Sequence, residues 1–234
     1  MKLSRTLMLC ACALAITGCA NVPSAPDAGE KIQAASIYNP YPESAPVHTS
    51  YARFVIRMHD DPTVQAFVAK TTRENAFRKG TDLSLTGLKR LDDASLETRM
   101  RIWSKILDDA SEAECVSIMQ GPSSTPGLSA MDAGLIKLNQ TDADSWFALA
   151  GDATLAELRQ DPIPSVKRED VNEALSRIKA TLSPQERLKF ASALQNLRAV
   201  SPSDACWTMR ILFREGTALA EPYRAAIARA SLPH

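Results

Sequence analysis

Signals that start and stop helices recur along this chain at about one helix length. Asp61-Pro62, Asp92 or Asp93, Ser129, Asp142 and Ser165 each precede an apolar periodic run. Short polar side chains at such positions accept hydrogen bonds from the free amides of a first helical turn. Ser111-Glu112-Ala113-Glu114 and Ser183-Pro184-Gln185-Glu186 are capping boxes, in which the serine takes one orphan amide and the glutamate reaches back to another. Ser201-Pro202-Ser203-Asp204 repeats the pattern with aspartate, and Glu221-Pro222 opens a last helix. Stops are as plain: Gly80, Gly121-Pro122 and Asp161-Pro162-Ile163-Pro164. Strand-like alternation is missing and glycine is scarce, at 9 of 234 residues. The spacing therefore predicts an all-α domain over residues 51–234, a multi-helix bundle built of helical hairpins.

Within that domain Leu96, Met100, Trp103 and Leu107 fall at steps of four, three and four, one face of a helix. Two stretches align as copies. One runs Ser95, Arg99, Trp103, Leu107, Ser111, Cys115, Gly121; the other runs Ser183, Arg187, Phe190, Leu194, Ser201, Cys206, Gly216. An internal duplication would divide the domain into halves 51–140 and 141–234 related by a twofold. Chance alignment of helical sequences is the alternative. Residues 19–50 carry Pro23, Pro26, Pro40, Pro42 and Pro46 among small and polar residues, and read as an extended tether.

The other constraint lies at the start. Lys2 and Arg5 precede a ten-residue apolar run, Leu7 to Ile16, and then come Thr17, Gly18 and Cys19. About 20 residues are needed to span a bilayer, so residues 1–18 read as a secretory signal peptide. The ending Leu14-Ala15-Ile16-Thr17-Gly18-Cys19 resembles the lipobox of bacterial lipoproteins. That resemblance implies cleavage before Cys19, a diacylglycerol on its sulfur and a further acyl chain on its amine, and so a membrane anchor. Ala20 stands where inner-membrane retention usually uses aspartate, which implies the periplasmic face of the outer membrane. An ordinary signal cut elsewhere is the alternative.

If Cys10 and Cys12 leave with the signal and Cys19 carries lipid, only Cys115 and Cys206 remain. An even pair in an oxidising compartment reads as a disulfide, here between the two halves; two buried free thiols are the other reading. Of 27 basic residues, losing Lys2 and Arg5 leaves 25 against 27 acidic ones, well mixed. That balance offers no footprint for nucleic acid.

Chemistry-bearing groups are sparse. His48, His59 and His234 are the only histidines, and none pairs with another at a metal-ligand spacing. His59-Asp60-Asp61 comes nearest to a metal site, but consecutive residues point apart, and Asp61 is better used as a cap. Thr86-Gly87-Leu88-Lys89 and Gly151-Asp152 do not form a phosphate loop, so no cofactor is expected. Glu43-Ser44 and Met119-Gln120-Gly121 resemble fragments of the lytic transglycosylase motifs. Glu43, however, sits between prolines in the tether, with no apolar pocket to raise its pKa. Trp103, Trp146 and Trp207 read as core. Arg53, Arg57, Arg73 and Arg78 on one side, and Asp108, Asp109, Glu112 and Glu114 on another, read as solvated faces or docking surfaces. The expectation is a non-enzymatic module that holds a protein partner in the envelope, an inhibitor or immunity protein or an assembly adaptor. A helical murein-active hydrolase is the alternative.

Overall fold

A computed structural model describes residues 39–71, 73–120, 129–197 and 199–232. The expected signal peptide, Cys19 and the expected tether up to residue 38 lie outside them. The described residues form eleven α-helices and one 3-10 turn, with no strand. In chain order these are α1 (Pro46–Asp60), α2 (Pro62–Val68), α3 (Arg73–Gly87), the 3-10 turn Leu88–Arg90, α4 (Asp93–Asp109) and α5 (Glu112–Gln120). There follow α6 (Ala130–Ile136), α7 (Gln140–Arg159), α8 (Arg168–Ala180), α9 (Pro184–Gln195), α10 (Pro202–Thr217) and α11 (Tyr223–Ala230). The fold is all-α, a bundle of helical hairpins.

Most caps form as the sequence predicts. Asp61 accepts from the amides of Thr63 and Val64, and Asp92 accepts from that of Ser95. The Ser111 amide donates to Glu114 at 2.7 Å while the Glu114 amide donates to the Ser111 hydroxyl at 3.2 Å. Ser129 with Asp132, and Ser183 with Glu186, close two further boxes.

Four expectations are corrected. The tether does not extend to residue 50, because α1 begins at Pro46 and buries Val47, Ser50 and Ala52. Proline suits a first helical turn, where its missing amide has no partner to lose. Ahead of it Tyr41 is buried, edge-on to Tyr51 and Phe147, and its hydroxyl donates to Asp132 at 2.9 Å. The helix expected from Asp61 to Gly80 breaks after Val68 into short turns that place the amides of Lys70 and Thr71 on Phe67 and Val68 carbonyls. No residue of α2 is buried, so nothing holds β-branched Thr71 in a continuing helix. Ser165 caps nothing: α8 starts at Arg168 after Lys167, and Glu169 and Asp170 complement the helix dipole in place of a hydroxyl cap.

The fourth correction concerns symmetry. α4 packs on α6, α7, α10 and α11, whereas its supposed copy α9 packs, among the described residues, mainly on α8 and α10. Arg99 is buried and its counterpart Arg187 is exposed. No twofold relates the copies, and α7 of the second half is laid against α1, α2 and α3 of the first.

Cys115 and Cys206 form a disulfide, with Cα atoms 5.7 Å apart, that joins α5 to α10. Both cysteines are buried. α3 meets α7 at backbone distance: a Cβ on Gly87 would stand 1.9 Å from the Ala153 carbonyl oxygen. That close crossing, and the seat of α4 beneath it, set the walls described next.

Candidate functional site

A groove of about 430 Å³ opens between α3, α4, α5, α7 and the start of α6. Its size falls within the range of about 300–1,000 Å³ typical of small-molecule sites. Its walls are apolar, built from Leu85, Leu88, Ile118, Met131, Trp146 and Leu149. They come from α3 and the 3-10 turn after it, α5, α6 and α7, so the groove exists only once those elements have packed.

Arg99 is the sole charged residue among the described lining residues. It is 8 % exposed and makes no hydrogen bond or ion pair among the described residues. Among the described residues its electrostatic contact is with the Trp103 ring, whose centroid lies 5.6 Å from the guanidinium carbon. Desolvation by burial draws its pKa down to about 10, and the group stays cationic at neutral pH.

Other sheltered arginines are handled differently. Arg229, equally buried, binds Asp93 at 2.5 Å and the Leu91 and Lys89 carbonyls at 2.9 and 3.2 Å. Arg90 engages Glu157 at 2.7 Å, the Gln160 side chain at 3.0 Å and the Asp161 carbonyl. Arg210 donates to the carbonyls of Leu107 and Ala110. A buried ion without hydrogen bonds is costly, by several kcal/mol even after relaxation. This fold pairs its sheltered guanidiniums, and Arg99 departs from that rule inside the groove.

The wall beside Arg99 is aromatic. Trp103 stacks on Phe213 with centroids 5.9 Å apart and meets Trp146 edge-on at 6.0 Å. The Trp103 indole nitrogen is buried without a hydrogen-bond partner. Trp103 and Trp146 are thus only partly buried and face the groove, which corrects their reading as plain core. Trp207, also partly buried, packs away from the groove against Phe190, with the Lys189 ammonium 4.6 Å from its ring.

Of the other residues singled out from the sequence, Leu88 and Ser129 line the groove, and the candidate metal, catalytic and docking residues stay apart from it. His59 is exposed beside Asp60, and no cluster of three metal-binding side chains occurs among the described residues. Glu43 lies exposed ahead of α1. Arg53 and Arg57 pair with Asp144 and Asp152 along the α1–α7 seam. Sequence reasoning missed Arg99, which it used only to align the copies. The signal was present, since Arg99 is three residues after Leu96 and four before Trp103, a charge set into an apolar stripe.

No family model, curated protein or solved structure matches the chain.

Proposed function

We propose that this chain is a non-enzymatic binding protein of the cell envelope, held at a membrane through lipidated Cys19, and that its ligand seats in the groove around Arg99. The observation that carries the reading is a buried cation in an apolar hollow of ligand size that, among the described residues, has no hydrogen-bond or ion-pair partner, while Arg229, Arg90 and Arg210 all have theirs. Perturbed and uncompensated charges concentrate at functional sites, because folding alone does not reward them. The anchor rests on the lipobox-like ending at Cys19. Among the described residues no helix is long and apolar enough to cross a membrane.

Two measurements test the reading. Cys19→Ser in the full chain should move the product from the detergent-soluble membrane fraction to the aqueous one; unchanged partitioning overturns the anchor. For the groove, the chain from residue 19 carrying Cys19→Ser keeps every described residue. It should bind the neutral dye N-phenyl-1-naphthylamine saturably, one per chain, with quenching of tryptophan emission. Ala150→Phe, which fills the groove, should abolish that binding. Absence of saturable binding, or indifference to Ala150→Phe, defeats the groove as a site.

A protein partner is the second reading. Leu85, Ile163 and Val166 are about half exposed around another hollow, floored by Arg229 and Leu232. Contiguous exposed apolar surface of this kind suits a protein contact.

A further inference from the structure

The groove has a polarity as well as a volume. Its walls are hydrocarbon and aromatic from α3 across to α7, while its single described charge is positive and lies on α4. A neutral apolar ligand would fill the hollow and leave Arg99 as uncompensated as before. A cationic ligand would be repelled by it. Charge complementarity is met by one ligand chemistry, an anionic head joined to an apolar body. We propose that the groove binds a single-chain amphiphile with an anionic head, the head against the Arg99 guanidinium and the chain along Leu85, Ile118, Met131 and Leu149. This inference rests on the groove being a binding site and goes further by naming the ligand class.

Guanidinium suits the role. Its planar donors engage carboxylate or phosphate oxygens two at a time, and such charge-assisted bonds strengthen where water is excluded. None of Arg99's donors is committed to a carboxylate or carbonyl among the described residues, so the whole fork is available. The small exposure it keeps gives an approaching head group access. Trp103 stacks on Phe213 and so holds the ring that flanks the guanidinium in a fixed place. A preorganised cation costs a ligand little ordering on binding. The hydroxyl-bearing residues Thr81, Ser84 and Ser117 also line the groove, and none carries charge that would oppose an anion.

Titration calorimetry with four ten-carbon ligands tests the proposal, using the chain from residue 19 with Cys19→Ser. The ligands are decanol, decanoate, decyl phosphate and decyltrimethylammonium, each kept below its micellar concentration. The expected result is that at least one anion binds tenfold or more tighter than decanol, and that the ammonium binds weakest. The tighter of the two anions identifies the head group. Arg99→Met, which retains the length and apolar stem, should bring the anions level with decanol and leave decanol affinity within about twofold. Arg99→Lys should recover part of the preference. Equal affinities for decanol and both anions in the parent chain overturn the inference while leaving the groove a binding site. A preference that survives Arg99→Met overturns it too. Failure of all four ligands to bind defeats the reading beneath it as well.

Discussion

Arg99 and Arg229 have the same small exposure and opposite surroundings, and the contrast predicts opposite responses to truncation. Arg229 ties α11 to the turn before α4 through Asp93 and two carbonyls. Arg229→Met would leave the Asp93 carboxylate to solvent but strand the buried Leu91 carbonyl, a loss of about 1–3 kcal/mol. Arg99→Met removes a largely buried cation that no carboxylate or carbonyl meets among the described residues, so it should stabilise the fold by roughly 1–3 kcal/mol, read from urea melts. A loss of stability in Arg99→Met would mean that its contact with Trp103 outweighs the cost of burying it. The sequence exposes part of this difference. A charge set into the stripe of Leu96, Met100 and Trp103 is legible; whether acceptors come to meet it is not, because those of Arg229 come from residues about 140 positions away.

Helix boundaries were legible wherever a side chain fixes them. The boxes at Ser111, Ser129 and Ser183 are local hydrogen bonds spanning three residues, so the sequence contains both partners. Where tertiary contact decides, the pattern misleads. Pro46 looks like linker until Val47 is seen buried, and Gly80 looks like a stop although α3 runs through it. Glycine at 80 has open space around it, whereas glycine at 87 lies against the α7 backbone. Gly80→Ala should therefore stabilise by up to about 1 kcal/mol through helix propensity. Gly87→Ala should cost more than that gain, since the added carbon meets a carbonyl that cannot move without shifting α7; thermal melts of the two variants check the sign of each.

The cap of α5 has a pH signature. Hydrogen bonds from the Ser111 amide and hydroxyl, and then from Lys137, hold the Glu114 carboxyl down at about 2. Its folded pKa lies below its ordinary value, so the stabilisation is complete above about pH 4.5 and is lost as the pH falls toward 2. The difference in melting temperature between the parent chain and Glu114→Gln should be constant from pH 7 to 5 and shrink below that. A constant difference down to pH 2 would exclude a role for the ionised carboxylate.

Taken whole, the molecule is two sets of helices joined along α4. On one side α1, α2, α3 and α7 pack together; on the other, α5 and α8 to α11 gather around α10. The Cys115–Cys206 disulfide lies in the second set and closes a sequence separation of 91 residues. The chain-entropy argument assigns a loop of that size about 4–5 kcal/mol, an upper figure. The double variant Cys115→Ser/Cys206→Ser should lose up to that amount in urea melts, and reduction of the parent chain should match it. The all-α class and the cysteine pair were readable because each depends on residue type and spacing. The groove was not, since it takes side chains from five helices whose mutual placement no local pattern encodes. The twofold failed for the same reason: similar strings of residues, placed centrally in one case and peripherally in the other, have different neighbours.

The bond from Tyr41 to Asp132 holds the first described residues close to the groove wall, since Asp132 adjoins Met131. Asn39 lies twenty positions beyond Cys19. Fully stretched, that stretch of chain reaches at most roughly 70 Å. If Cys19 is acylated, as its lipobox-like ending implies, that length is the greatest distance at which Asn39, and the groove mouth near it, can stand from the bilayer.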